Sequence, residues 1–390
     1  MISIKLAYRN LIGAGLRTWL NVVVLSFAYV VIIWHKGFLQ GWDEQARRDT
    51  IEWEIGGGQY LQQDYDPYDP LSLEAGHGMV PNDASAEINQ GRLTPILALP
   101  AAMYPQGRIQ SVILKGIDPQ QRIIAIPSEA LSVQSSEIPA VIGSRMARNN
   151  RLAVDDLITI RWRDANGTFD AQEVKIVAIF RTNVGSVDMG QLWLPLQRLQ
   201  QMAQLPGQAS ILVADKRFNP TQSYSGWILK EQKILLQPIA DVIRMKSIGG
   251  LVIFFMLLLL AMLAIFDTQV LSIFRRRREI GTLMALGMTR GQVIRIFTIE
   301  GAMHAVLATV VAAVYGIPML YYFAKTGWKM PEMVDDMGMA IAETIYPAYP
   351  AQLVLGTILL VLVAVTIVSF LPTRRIAKLH PTEAIRGKLS

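Results

Sequence analysis

The ionisable residues best placed to do chemistry in this 390-residue sequence lie within or beside long apolar runs. Asp267 and Glu300 each fall inside such a run, where an ionisable side chain often marks an ion pathway or an ion pair. Four consecutive arginines, Arg275–Arg278, and then Glu279 follow the run that holds Asp267. Asp267 could therefore carry a specific charged role, reach interfacial water or pair with these arginines. Glu300 is predicted to pair with Arg295.

Groups that would support catalysis or metal binding are missing from the sequence. The four histidines are scattered, and no two have metal-ligand spacing. There is no phosphate loop of the form G-x-x-x-x-G-K-S/T, no nucleophile elbow and no cysteine. We therefore predict no catalytic residues, no metal site and no cofactor bound by this chain itself.

Four apolar runs are long enough to cross ~30 Å of hydrocarbon, which takes ~20 residues. They are Trp19–Leu39, Ile248–Phe274, Val293–Phe323 and Gln352–Leu371. Basic residues outnumber acidic ones before the first run, after the second and after the fourth, whereas acidic residues prevail between the third and the fourth. The positive-inside rule then places both termini and the arginine-rich loop in the cytoplasm. The net charge of +6 reflects this orientation and gives little support to nucleic-acid binding.

These boundaries predict a membrane protein with four transmembrane helices and a large extracytoplasmic α/β domain inserted between helices 1 and 2. The predicted segments are a cytoplasmic amphipathic helix (1–18), a first span (19–39), an external α/β domain with a stalk (40–246), a second span (247–274), a short cytoplasmic helix (275–292), a third span (293–323), a short external loop (324–351), a fourth span (352–371) and a cytoplasmic tail (372–390).

The α/β assignment of the external domain depends on local patterns. Alternating apolar residues on both sides of Asn166-Gly167 predict a β-hairpin from Leu157 to Phe180. Residues 56–82 are rich in glycine and proline and are predicted to form loops. The segment Lys230–Lys246 is predicted to be a stalk helix, with Pro238 as a possible kink.

The order of residues around the arginine cluster carries a more specific signal. Arg277-Arg278-Glu279-Ile280-Gly281, then Ala285-Leu286-Gly287, resembles the coupling segment of the MacB/FtsX family of ABC transporter permeases. Glu300-Gly301 and the closing Pro381, Glu383, Ala384 and Arg386 are similar to the same family. Gly58-Gln59-Tyr60-Leu61-Gln62 and Tyr65 look like its lipoprotein-releasing (LolC/LolE-like) branch. The competing interpretation of the arginine cluster is a plain stop-transfer loop.

The resemblance implies a permease subunit in a bacterial inner membrane, working as a dimer with two copies of a separate ATPase, which would bind ATP and Mg. It implies lipoprotein release as the first function, MacB-like efflux with an adaptor as the second, and FtsX-like signalling to a cell-wall hydrolase as the third. A periplasmic carrier is a further possible partner. The residues that the resemblance assigns to ATPase coupling are Arg277, Arg278, Glu279, Ile280, Gly281, Leu283, Ala285, Leu286 and Gly287. Of these, Ile280, Leu283 and Leu286 are the apolar side chains expected to dock on the ATPase.

Overall fold

The structure, a computed structural model, describes residues 16–67, 69, 72–133, 136–218, 222–330, 342 and 344–376. Most of the predicted amphipathic helix at 1–18 and the tail motif at 381–386 lie outside these residues. The helices are α1 Leu16–Thr50, α2 Ser85–Asn89, α3 Ser144–Asn150, α4 Gly185–Gly190, α5 Leu196–Met202, α6 Gln232–Leu235, α7 Gln237–Arg275, α8 Arg277–Ala285, α9 Arg290–Thr326 and α10 Ala351–Ile376.

The described strands lie between α1 and α7, except the last two, which lie between α9 and α10. They are β1 Gly58–Gln62, β2 Gly78–Met79, β3 Leu93–Met103, β4 Gln110–Ile117, β5 Ile138–Gly143, β6 Leu157–Arg163, β7 Phe169–Phe180, β8 Gln191–Pro195, β9 Gln208–Ala209, β10 Ile211–Ala214, β11 Trp227–Glu231, β12 Trp328–Lys329 and β13 Thr344–Ile345.

The chain divides into two compact units. The first, here called the membrane unit, holds the described residues up to Trp42, Val242–Trp328 and those from Ile345 onward. The second, here called the α/β domain, holds Asp43–Asp241 and the described residues among 329–344. Within the described chain, four helices (α1, α7, α9 and α10) are long and apolar enough to cross a membrane. The predicted fold class is thereby confirmed: four membrane helices, with a large α/β domain between the first and the second.

Small side chains allow the four long helices of the membrane unit to pack closely. Ala261, Ala305 and Ala308 are buried in one cluster with Leu25 and Val365, so that α1, α7, α9 and α10 all contribute. Close approach of this kind is how helices associate in a membrane, where no hydrophobic effect drives them together. The outward faces are apolar as well, with α7 exposing a row of large side chains that includes Leu251, Phe255, Leu259 and Leu263.

The α/β domain is built on a nine-stranded mixed sheet. Its strand order is β11-β1-β10-β3-β4-β8-β5-β7-β6, and β6 also pairs with β3. The first part of β3 pairs with β10, while Ala101–Met103 at its end pair with β6. Six strands, from β3 through β4, β8, β5 and β7 to β6, therefore form a closed ring. Its largest fully buried side chains include Trp162, Leu97 and Leu114.

The predicted hairpin is formed by β6 and β7, which pair antiparallel from Leu157 opposite Lys175 to Arg163 opposite Phe169. Gly167 at the turn has a φ of 83°, a conformation that favours glycine. Asp164 further supports the turn, because its carboxylate accepts hydrogen bonds from the backbone N–H groups of Asn166 and Thr168 at 2.9 and 2.8 Å.

Two local predictions were wrong. Residues 56–82 were predicted to form loops, but Gly58–Gln62 form β1, which lies between β10 and β11 in the sheet. Gly58 is the first residue of this strand, and Tyr60 and Leu61 in its interior are buried. The predicted stalk helix begins later than Lys230, which belongs to β11. Pro238 lies in the first turn of α7, where a proline is tolerated, and it follows an interruption of the helix at Leu236.

Candidate coupling site

The short helix α8 connects the ends of α7 and α9, and both junctions are stabilised by local hydrogen bonds. Arg276 separates α7 from α8 with backbone angles of φ −96° and ψ 15°. Gly287 follows α8 with a φ of 99°, which a residue with a side chain rarely adopts. Thr289 then caps α9: its hydroxyl accepts a hydrogen bond from the N–H of Gln292, whose side-chain oxygen accepts one from the N–H of Thr289. This reciprocal pair is a capping box.

The inner side of α8 packs against the membrane unit. Ile280 is 4% exposed and lies in a cluster with Ile273 of α7 and with Val293 and Phe297 of α9. The prediction that Ile280 is available to dock on an ATPase was therefore wrong for this structure. The helix has one apolar side, and the membrane unit itself occupies it. Gly281 is buried too.

The outer side of α8 ends in a small exposed patch, here called the outer edge, made of Ala285, Leu286 and Gly287. Leu286 is 80% exposed, the largest exposed fraction among the large hydrophobic side chains of the described residues. The side chains of Arg277, Arg278 and Leu283 lie outside the described part of the structure. Of the apolar residues predicted to dock, Leu286 is the one that the structure places at the surface.

Arg276 connects α8 to α9. Its guanidinium donates to both carboxylate oxygens of Glu279, at 2.8 and 2.9 Å, and to Glu300 at 3.0 Å. It also lies over the ring of Phe297, 5.1 Å from the centroid. The hydrogen bonds from Arg276 lower the pKa of Glu279, and they raise the pKa of Arg276.

The predicted ion pair between Glu300 and Arg295 was wrong, because Glu300 pairs with Arg276. Arg295 and Glu300 are five residues apart on one helix, and at ~3.6 residues per turn they point in well-separated directions. Arg295 is exposed, whereas Glu300 is 5% exposed.

Asp267 is separate from this network. It is exposed on α7, and none of the described residues forms an ion pair or hydrogen bond with it. Its neighbour Thr268 accepts a hydrogen bond from the side-chain amide of Asn21 on α1, at 2.5 Å. Of the alternatives left open by the sequence, the described structure does not show pairing of Asp267 with Arg275 or Arg276.

A buried polar layer lies one or two turns further into the membrane unit. Gln269, His304 and Ser369 are 1%, 4% and 0% exposed and come from α7, α9 and α10. One polar atom of each has no hydrogen-bond partner in the described part of the chain. Sequence reasoning missed this layer, although an isolated Gln or His in an apolar run is the signal that could have identified it.

Comparisons with known proteins agree with this architecture. Residues 251–381, which include α8 and most of α7, match the family described as FtsX-like permease C-terminal. The uncharacterized ABC transporter permease YknZ of Bacillus subtilis is 25% identical over 227 residues, which are 56% of this chain and 50% of YknZ. The macrolide export ATP-binding/permease protein MacB of Chromobacterium violaceum is 27% identical over 125 residues, 32% of this chain and 17% of MacB.

One solved structure that is similar is the extracellular domain of the noncanonic ABC-type transporter YknZ from Gram-positive bacteria. It shows 10% identity and a TM-score of 0.25, over 41% of this chain and 83% of that one. The chain spans half or less of the length of the curated relatives it matches. It carries an FtsX-like permease domain in residues 251–381, and its homologues are ABC transporter permeases.

Proposed function

We propose that this chain is the permease subunit of an ABC transporter, in which a separate ATPase supplies the free energy and the α/β domain performs the work. The observation that carries the proposal is α8, a nine-residue helix between two membrane helices, whose inner side is packed and whose outer edge is exposed. The FtsX-like permease domain and the ABC permease relatives support the same assignment. Two copies of the ATPase and a second permease, a like copy or a paralogue, would complete the assembly.

The charge distribution supports an orientation for this assembly. Arg275–Arg278 lie at and before the start of α8 and Arg290 follows its end, and such clusters favour the cytoplasmic side of a membrane. The outer edge of α8 would then face a cytoplasmic ATPase, and the α/β domain would lie outside the cytoplasm. In this proposal the membrane is the bacterial inner membrane and both chain termini are cytoplasmic.

Movement of α8 would be carried into the membrane helices through two junctions. Arg276 connects α8 to α7, which is one continuous helix from Gln237 to Arg275. The capping box at Thr289 connects it to α9, which is continuous to Thr326. A helix with an intact hydrogen-bond ladder transmits a displacement along its length, so closure of the ATPase dimer at α8 would move both helices together. No continuous pore is needed for work of this kind.

For the cargo, we propose a lipid-anchored protein. The supporting observation is an apolar cavity of about 150 Å³ within the membrane unit, between α1 and α7. Its lining includes Leu39, Leu251 and Phe254, with the ammonium group of Lys36 5.1 Å from the centre of the Phe254 ring. The volume is below the ~300 Å³ of common ligand pockets. It would suit part of an acyl chain, with Lys36 near a polar or anionic headgroup.

A second candidate is MacB-like export with an adaptor, and it rests on a different observation. MacB of Chromobacterium violaceum, whose name describes macrolide export, matches over 125 residues. Lipopeptide binding separates the two candidates. A photo-crosslinker at Leu251, which lines the cavity, should capture a triacylated lipopeptide in nanodiscs. One at Leu263, equally lipid-facing on α7 but outside the cavity, is the matched control. Equal labelling at both positions would indicate bulk lipid contact and favour export.

The permease assignment itself is tested at the outer edge. Leu286→Asp should weaken association with the ABC ATPase subunit that co-purifies with this chain by at least tenfold, since truncating an interface anchor commonly costs ~2 kcal/mol or more. Ile109→Asp makes the same change at a 72% exposed side chain of the α/β domain and should leave association unchanged. If both variants bind that subunit like the unmodified chain and stimulate its hydrolysis equally, α8 is a stop-transfer loop and the proposal fails.

A further inference from the structure

Arg276 is shared by two helices through its backbone. Its N–H donates to the carbonyl of Ser272 in α7 at 3.1 Å, and its own carbonyl accepts from the N–H of Ile280 in α8 at 2.9 Å. The residue therefore ends one hydrogen-bond ladder and begins the next. A displacement of α8 therefore acts on α7 through the backbone of Arg276, in addition to the packing of Ile280 against Ile273.

The side chain of Arg276 adds a third helix to this junction. Nε and Nη2 bond to the two oxygens of Glu279 on α8, and Nη1 bonds to Oε2 of Glu300 on α9. The planar fork of a guanidinium suits such bidentate contacts, which resist rotation better than a single bond. The ring of Phe297 supports the guanidinium from below. All three guanidinium nitrogens thus contact carboxylates on two different helices.

The neighbouring Arg275 shows that charge alone does not explain this arrangement. Arg275 is exposed, and none of the described residues forms an ion pair with it. Glu300 is 5% exposed, so its carboxylate depends on protein partners where water cannot replace them. A simple stop-transfer charge would not require a buried acceptor on another helix.

We propose that Arg276 and Glu300 form a positioning joint, which holds α8 against α9 so that force applied to α8 moves the second and third membrane helices as one. Arg276 in this scheme positions α8 and does not itself bind the ATPase. The transmission part of the inference rests on the proposed permease function, whereas the positioning part concerns this chain alone.

The positioning part can be measured without any partner, because the sequence contains no cysteine. Spin labels at Ala285→Cys and Arg374→Cys, both exposed, report the distance between α8 and α10. We expect one narrow distance distribution in the unmodified background. Arg276→Gln and Glu300→Gln should each broaden or shift it, and Arg275→Gln, which removes one charge from the same cluster, should not. Arg276→Lys keeps the positive charge, so its distance distribution should be narrower than that of Arg276→Gln. It should remain broader than in the unmodified background, because an ammonium group lacks the planar fork that bonds to both carboxylates.

The transmission part is measured with the ABC ATPase subunit that co-purifies with this chain. Glu300→Gln should keep association within twofold of the Arg275→Gln control and lower the stimulated rate of ATP hydrolysis at least fivefold. Correct insertion of each variant is checked by protease protection of the α/β domain. A variant that fails this check is replaced by the milder Glu300→Asp, which keeps the charge but shortens its reach.

The outcomes separate the two proposals. Unchanged distances in Arg276→Gln and Glu300→Gln would overturn the joint, and so would changed distances with undiminished hydrolysis. Equal loss of association and hydrolysis in Glu300→Gln would also overturn it, because the Arg276–Glu300 pair would then act in docking. If the unmodified chain fails to bind the subunit at all, the permease function fails, and the distance measurement still decides whether Arg276 positions α8.

Discussion

Gly301 offers the sharpest test of how the membrane unit is packed. The residue is buried on α9, and a Cβ at this position would overlap the hydroxyl and Cβ of Ser369 on α10 and lie 3.0 Å from the amide nitrogen of Gln269 on α7. Three helices therefore meet at a point that has no room for a methyl group. Gly301→Ala must push α9 and α10 apart.

The expected size of the effect follows from two opposing contributions. Overpacking of this kind costs ~1–3 kcal/mol. Replacing glycine by alanine within a helix returns up to ~1 kcal/mol. We therefore expect a net loss in the free energy of unfolding of up to ~2 kcal/mol. At Gly356 on α10, where no atom lies within 4 Å of the added methyl group, alanine should be neutral or stabilising.

The assay is unfolding of the full chain in detergent, followed by tryptophan fluorescence. Gly301→Ala should lower the midpoint, and Gly356→Ala should not. Adding Ser369→Gly to Gly301→Ala should recover much of the loss, because it removes the overlapping atoms, and the Ser369 hydroxyl has no hydrogen-bond partner in the described structure. Equal midpoints for Gly301→Ala and Gly356→Ala would refute the packing argument.

Three further predictions concern orientation, charge and pH. A reporter active only outside the cytoplasm should be on when fused after Gly167 and off after Gly287, and the reverse result would contradict the proposed orientation. Asp267→Asn should keep stimulated hydrolysis within about tenfold, or ~1.4 kcal/mol, of the unmodified value, and a larger loss would indicate a specific charged role. Burial lowers the pKa of Lys115, an effect opposed by Glu54. Between that lowered pKa and 10.5 the unfolded state holds the Lys115 proton and the folded state does not. The contribution of Lys115 to the free energy of unfolding should therefore increase with pH over this interval, and Lys115→Met should remove that contribution.

Patterns that depend on a few neighbouring residues could be predicted well. The β6–β7 hairpin could be predicted from sequence because the alternating apolar residues indicate the strands and Asn166-Gly167 indicates the turn. The fold class was accessible because a membrane helix needs a long apolar run. In both examples, the deciding information is local.

The partners of individual side chains were harder to predict, because they depend on residues that are distant in sequence. An amphipathic helix such as α8 shows that it has an apolar side, but not whether its own bundle or another protein covers that side, and Ile280 proved to face inward. Arg276 is one of four adjacent arginines, and only the three-dimensional junction of α7, α8 and α9 distinguishes it from the others. The strand β1 was missed because the run of glycines at 56–58, which ends in its first residue, obscured a short buried segment.

The closed ring of six strands also determines how the α/β domain can meet other polypeptides. Because β6 pairs back onto β3, the described nine-stranded sheet has one free edge, at β11. An unpaired strand edge can accept a strand from another molecule, which leads to aggregation or domain swapping. The edge strand here has only five residues and ends in Lys230 and Glu231, and short, charged edges disfavour such pairing. A domain displayed at high density on a membrane would thus be protected from joining its neighbours strand by strand.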